Sequence, residues 1–141
     1  MSIAELIIGM SLAVLLVGMT IPKVDLGYMK AEWERRRLCS EIRYLKRRDL
    51  AGIEEFMRID EVDGKTCYKI LLRSKVLRKL DVDEDISVKT GIDMIKFQEN
   101  GKPNKSGEIN VIYKKKFYSI TITPISGRIL FKEGIYDDSK K

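Results

Sequence analysis

The sequence predicts an α+β protein in which a long N-terminal helix, first transmembrane and then amphipathic, packs on an antiparallel β-sheet. Three observations lead to this prediction. Residues 1–22 are almost continuously apolar, residues 23–48 repeat apolar side chains with a helical period, and the second half of the chain alternates apolar and polar side chains with the period of a strand. A chain of 141 residues has room for one small globular domain after such a helix.

The first segment, residues 1–22, is an apolar run from Ile3 to Ile21 that contains one carboxylate, Glu5. A run of roughly 17 to 25 apolar residues is long enough to cross a bilayer as a helix. It is also longer than the apolar part of a secretory signal and lacks the basic residues that precede one, so we expect it to stay in the mature protein. A carboxylate at the centre of such a helix costs about 2.5 to 3.5 kcal/mol, and less near its end, so Glu5 needs a partner.

Small residues interrupt the apolar run at Gly9, Ala13 and Gly18. Gly9 and Ala13 are four residues apart, which is the spacing at which two helices can approach closely inside a membrane. We therefore predict these three positions as candidates for helix packing.

The second segment, residues 23–48, is predicted as an amphipathic continuation of the helix, bent near Pro22. Asp49 and Gly52 end its pattern, and Arg35 is the only break in its apolar stripe. Basic residues interleaved with acids occupy the rest of the helix, which is typical of a solvated face but also suits nucleic acid or anionic lipid. The apolar stripe consists of Val24, Tyr28, Ala31, Leu38, Ile42 and Leu45.

The third segment, residues 49–141, is predicted as a β-rich globular domain. Residues 51–60 are ambiguous: they are interpreted as a connector in which Ile53, Phe56 and Met57 also fit a turn of helix, although no cap is present. The strands are expected to begin after the turn at Asp63 and Gly64. The predicted strands are centred on 68–72, 76–82, 86–89, 95–97, 109–113, 118–122 and 129–131, separated by turns such as Asn100-Gly101 and 124–127. Residues 137–141 are read as a polar, frayed tail.

Several kinds of chemistry find no support in the sequence. The chain has no histidine, so imidazole catalysis and histidine-ligated metal sites are excluded, and no other nucleophile-and-base or metal-ligand set is recognisable. We therefore expect no enzyme activity, no cofactor and no metal. Cys39 and Cys67 are spaced too far apart for a CxxC site, which leaves a disulfide bridge between them or two reduced cysteines as alternatives.

The spacing of Glu5 and Pro22 within an otherwise uncharged run resembles the mature N-terminus of type IV pilins and pseudopilins, although Met1 stands where that family usually has Phe. The resemblance implies a structural subunit of a type IV pilus, type II secretion or competence filament, with methylation of the N-terminus. It also implies that Glu5 pairs with the α-amino group of Met1 in a neighbouring subunit, so that Met1, Glu5 and Pro22 form the assembly site.

The same resemblance implies partners and a location. The partners would be other pilin or pseudopilin subunits, the prepilin peptidase, the inner-membrane assembly platform and membrane lipid. The subunit would be a single-pass membrane protein with its globular domain outside the cytoplasm, later assembled in an extracellular or periplasmic filament.

The C-terminal half resembles one subgroup in particular. The residues Phe97, Gly101, Gly107, Gly127 and Arg128 match a pattern of the H-type minor pseudopilins of type II secretion and their relatives in pili and competence systems.

Two alternatives remain open. The basic residues Lys23, Lys30 and 35–37 follow the apolar segment and none precedes it, which for an ordinary anchor would place the domain in the cytoplasm. The net charge of +6 and the basic turn Lys114, Lys115 and Lys116, flanked by aromatic residues, are typical of a hairpin tip kept soluble by lysines, but they also suit a filament subunit that binds DNA through this turn and the basic helix.

Overall fold

The structure is a computed structural model that describes residues 2–20 and 25–135, without the side chains of residues 19 and 20. Met1, Pro22 with its predicted bend, Val24 and the predicted tail at 137–141 lie outside the described residues. The predictions for these positions therefore remain predictions.

The first helix, α1, spans Ile3–Thr20, 18 residues with Glu5 in the first turn. Its start is a capping box, because the backbone N–H of Ala4 donates to Ser2 Oγ at 3.2 Å while the N–H of Ser2 donates to Glu5 Oε2 at 2.8 Å. Among the described residues, no helix meets the combined length and apolarity that a membrane crossing requires. The membrane span over residues 1–22 stays a prediction.

The second helix, α2, spans Leu26–Leu50, 25 residues, and ends two residues later than the sequence suggested. Asp25 is its N-cap, and Gly52 with a φ of 76° follows its C-terminal end. Four residues of the predicted apolar stripe are buried, which confirms the prediction for them. They are Ala31, Leu38, Ile42 and Leu45.

Eight strands follow, and the first of them was not predicted. They are β1 (Glu55–Val62), β2 (Lys65–Leu72), β3 (Lys75–Asp81), β4 (Ser87–Thr90), β5 (Met94–Ile95), β6 (Gly107–Tyr113), β7 (Lys116–Ile122) and β8 (Ile129–Ile135). The interpretation of residues 51–60 as a connector with a short helix is therefore wrong, as is the expected start of the strands after Gly64. The inward face of β1 includes a carboxylate, Glu55, which is 1% exposed and pairs with Arg48, so the alternation of apolar residues was hidden.

The strands form two antiparallel sheets rather than the one sheet predicted. Sheet A has the order β3-β2-β1-β5, and sheet B has the order β4-β6-β7-β8. The chain crosses from sheet A to sheet B at β4, returns at β5 and crosses again at β6. A pattern of alternating residues identifies which face of a strand is buried but not which strand lies beside it, so the division into two sheets was not visible in the sequence.

The core lies between α2 and the two sheets, because α2 contacts β1 of sheet A and both β6 and β7 of sheet B. Its fully buried members come from all three layers. They include Ala31, Leu38, Ile42 and Leu45 of α2, Met57, Tyr68, Ile70 and Ile95 of sheet A, and Ile109, Val111, Ile120 and Ile122 of sheet B.

The two cysteines are both buried and free. Cys39 belongs to the core on α2, whereas Cys67 precedes the core residue Tyr68 on β2 and so points to the opposite face of that strand. The Cys39–Cys67 bridge, one of the two predicted alternatives, is absent from the structure for this reason. Burial raises the pKa of the Cys39 thiol to about 11, which keeps it protonated and unreactive at neutral pH.

Candidate assembly surface

The apolar side chains of α1 are exposed on every side of the helix. Ile3 is 81% exposed, Val14 72% and Val17 62%. A helix that is apolar all round is normally buried in a membrane or among other helices. The other large exposed apolar residues of α1 are Leu6, Ile7, Ile8, Met10, Leu12, Leu15 and Leu16. This surface, called here the α1 surface, is therefore a candidate for contact with lipid or with other helices.

Glu5 lies on this surface at the start of α1. Its carboxylate accepts the N–H of Ser2, which holds it against the N-terminal end of the helix, where the helix dipole favours a negative charge. The capping box thus gives the carboxylate a local partner within a single chain and fixes its position one turn into the helix.

The three small residues do not share one face of α1. Gly9 and Ala13 are four residues apart and lie one above the other, but Gly18 is about two and a half turns beyond Gly9 and so faces the other way. A Cβ added at Gly9 or at Gly18 would meet no atom within 4 Å. The single chain thus leaves space at two separate places where another helix can approach.

A cluster at the start of α2, not identified from the sequence, joins the helix to sheet B. Asp25 Oδ1 accepts the N–H of Gly27 at 3.0 Å and the hydroxyl of Tyr113 at 2.9 Å, and its other oxygen binds the Lys114 ammonium. The Tyr28 ring packs edge-on against Tyr113, with ring centroids 5.1 Å apart. The sequence could have identified Asp25 as the N-cap of α2, because Asp is a common residue at that position. It could not have identified Tyr113 and Lys114 as the partners of Asp25, because they lie almost ninety residues further along the chain.

The charges in this cluster stabilise one another. The hydrogen bond from Lys114 holds the pKa of the Asp25 carboxyl below its ordinary value, helped by the bonds from Gly27 and Tyr113. The same bond raises the pKa of Lys114. Both groups are therefore ionised at neutral pH, and the tip of the β6–β7 hairpin is held at the N-terminal end of α2.

Gly27 is required by this packing. A Cβ at this position would overlap the ring of Tyr113, so we expect Gly27→Ala to lower the free energy of unfolding by about 1 to 3 kcal/mol through overpacking. Chemical denaturation of the full chain in detergent micelles measures the change. Gly91→Ala is the matched control, because a Cβ at Gly91 meets nothing within 4 Å. Equal stability of the two variants would contradict the assignment, and adding Tyr113→Ala should relieve most of the Gly27→Ala overlap.

The basic turn predicted for DNA binding is partly occupied by contacts within the chain. Lys114 is bound to Asp25, and Lys116 Nζ lies 3.9 Å from Glu133 and 5.2 Å from the centroid of the Tyr118 ring. Lys115 is exposed at the tip of the hairpin. The structure therefore brings the three lysines together on one turn but gives two of them acidic partners.

The architecture defines a class of protein. A helix with exposed apolar side chains, followed by a helix that packs across antiparallel sheets, is the type IV pilin fold, and the predicted α+β class is confirmed. The chain is similar to two crystal structures of the type IV minor pilin FimU of Pseudomonas aeruginosa strain PAO1. The first is 16% identical, and the match covers 72% of this chain and 91% of the crystallised FimU chain, with a TM-score of 0.58. The second is 12% identical, and the match covers 82% of this chain and 94% of the crystallised FimU chain, with a TM-score of 0.57.

No protein-family model matches the chain, and no curated protein sequence matches it. The likeness to FimU confirms the resemblance inferred from Glu5 and Pro22 at the level of the fold.

Proposed function

We propose that this protein is a structural subunit, a pilin or minor pseudopilin, of a filament of the type IV pilus, type II secretion or competence kind. The observation that carries the proposal is the α1 surface, which is apolar on every side and has Glu5 at its start. The likeness of the fold to a type IV minor pilin supports it. The role is structural and requires no catalytic residue.

In the proposed mechanism, Glu5 sets the axial register between neighbouring subunits. Packing α1 helices together removes Glu5 from water, and a buried carboxylate is costly unless it is paired with a cation and hydrogen-bonded. The α-amino group of Met1 in the next subunit supplies that cation. The bond from the Ser2 N–H keeps the carboxylate oriented at the end of its helix until the partner arrives.

The remaining parts of the proposal concern maturation and packing. The prepilin peptidase exposes the N-terminus, the assembly platform and membrane lipid hold the subunit before assembly, and the small surfaces at Gly9, Ala13 and Gly18 receive neighbouring helices. The subgroup, H-type minor pseudopilins, rests on the pattern of Phe97, Gly101, Gly107, Gly127 and Arg128 alone.

Substitution of Glu5 tests the proposal. Glu5→Val leaves the neighbour's amino group without a counter-charge in an apolar bundle, a loss of about 3 to 5 kcal/mol per contact, so we expect filament yield to fall at least tenfold. Filaments sheared from cells and counted by electron microscopy give the yield, and the membrane fraction shows whether the subunit is still made. Ser2→Ala, which removes the capping hydroxyl but no charge, is the matched control and should assemble. Normal filaments from Glu5→Val would refute the mechanism.

The location is part of the proposal, and protease accessibility decides it. A domain outside the cytoplasm is cleaved by protease added to cells whose outer barrier has been opened but whose inner membrane is intact. The alternative, a domain anchored on the cytoplasmic side, is protected under those conditions and cleaved only after the inner membrane is broken.

A further inference from the structure

The flank of α2 that faces sheet B forms an open groove with β8. The groove has a volume of about 830 Å³ and is called here the α2–β8 groove. The opposite flank of α2 faces sheet A, where Arg37 donates to the carbonyl of Asp81 and Glu41 pairs with Arg78. The residues that line the groove are Arg35, Arg36, Cys39, Ser40, Arg43, Lys46, Arg47, Leu50 and Phe131. Five of these are basic and none is acidic.

Most of this positive charge is not neutralised within the described part of the chain. Arg35 and Arg36 share a single carboxylate, Glu32. Lys46 Nζ donates to the carbonyl oxygens of Ser126 and Gly127, at 2.9 and 3.3 Å, which fixes the ammonium without cancelling its charge.

Arg43 and Arg47 carry the rest of the charge and are both exposed. Neither has an acidic partner within 4 Å among residues 2–20 and 25–135. Concentrated, unpaired positive charge in a concave site attracts an anion.

The extent of the charge indicates a polymer rather than a small anion. The cations run from Arg35 to Arg47, which corresponds to roughly 18 Å along a helix that rises 1.5 Å per residue. A single phosphate or carboxylate contacts one or two of these groups at a time. A chain with regularly repeated charges contacts several of them at once.

The floor of the groove is apolar and partly aromatic. Phe131 is 46% exposed, and the guanidinium carbons of Arg35 and Arg43 lie 4.9 and 5.4 Å from its ring centroid. Leu50, 51% exposed, also lines the groove. Proteins that bind single-stranded nucleic acid combine a positive groove, which follows the phosphates, with aromatic or guanidinium planes on which unpaired bases stack.

We propose that the α2–β8 groove binds single-stranded nucleic acid, with the exposed guanidinium groups of Arg36, Arg43 and Arg47 on the phosphates and the bases against the exposed part of Phe131. A duplex hides the base faces that this floor would accept, and a flat layer of lipid headgroups fits a concave groove poorly. The site differs from the Lys114–Lys116 turn, where two of the three lysines already have acidic partners. This binding is independent of the filament role and does not require it.

The test is fluorescence anisotropy of the full chain in detergent micelles with a labelled oligothymidine of about 16 nucleotides. Three to four phosphate contacts predict that the logarithm of the binding constant falls with the logarithm of the salt concentration with a slope of about −2 to −3. Arg43→Glu combined with Arg47→Glu should weaken binding at least tenfold, and Phe131→Ala at least about fivefold.

The matched control is Arg73→Glu combined with Lys75→Glu, which changes the net charge by the same amount at two exposed sites at the β2–β3 turn of sheet A, outside the groove and outside the Lys114–Lys116 turn. We expect this control variant to weaken binding less than about threefold, because salt screens the repulsion between the distant glutamates and the oligonucleotide. An equal loss in both double variants would overturn the assignment to the groove. Equal affinity for a duplex of the same length, or equal competition by polyglutamate or by vesicles rich in anionic lipid, would overturn the assignment of the ligand. Circular dichroism of each variant shows that it is folded.

Discussion

Ile42→Ala is expected to lower the free energy of unfolding by about 2 to 5 kcal/mol. Ile42 is fully buried on α2, in the layer between the helix and both sheets. Removing three carbons there loses the free energy gained by burying them. It also leaves a cavity, because the neighbouring side chains belong to two different sheets and cannot both move inward to fill it. Urea denaturation of the full chain in detergent micelles, followed by the fluorescence of Trp33, measures the loss.

Ile42→Val is the graded control for this experiment. It removes one methyl group from the same site and should cost about 0.5 to 1.5 kcal/mol. If Ile42→Ala were no more costly than Ile42→Val, Ile42 could not be a central contact of the core. Leu77→Ala is a second control, since Leu77 is 43% exposed on β3 and should cost much less.

Asp49→Ala is expected to lower the free energy of unfolding by about 2 to 6 kcal/mol. Asp49 is 3% exposed, and its two carboxylate oxygens accept the backbone N–H groups of Glu55 at 3.1 Å and Phe97 at 2.9 Å. Alanine leaves both buried donors without an acceptor, and each unsatisfied donor costs about 1 to 3 kcal/mol. The same denaturation experiment measures this loss.

Asp49→Asn separates hydrogen bonding from packing. The amide keeps the shape of the side chain and one oxygen acceptor but places its NH2 group against the second buried N–H, so it should lose at least about half as much stability as the alanine variant. An asparagine variant as stable as the wild type would contradict the assignment, because one of the two buried N–H groups would then have lost its acceptor without cost. Hydrogen exchange of the Phe97 amide should become faster in both variants.

The sequence was most informative where one local pattern decides the structure. The buried stripe of α2 follows from the spacing of Ala31, Leu38, Ile42 and Leu45, because a helical face is set by residues close in the chain. The strand β1 was missed because its inward position at Glu55 holds a carboxylate, whose burial depends on Arg48 of the preceding helix. Polar residues that are buried with a partner break the simple rule that inward positions are apolar.

The candidate sites were less predictable because they combine distant parts of the chain. Lys114 looked free to bind a ligand until the fold placed it beside Asp25. The α2–β8 groove needs Phe131 next to Arg35 and Arg43, and nothing in the sequence places them together. Glu5 was recognisable because its significance comes from its place within one continuous apolar run.

The position of α2 across both sheets has a mechanical consequence. Strands of sheet A and sheet B touch the same helix, and Asp25 ties the N-terminal end of that helix to the β6–β7 hairpin. Tension applied at this end therefore reaches both sheets through one helix. Unfolding either sheet alone would uncover part of the buried face of α2, so the helix couples the stability of the two sheets.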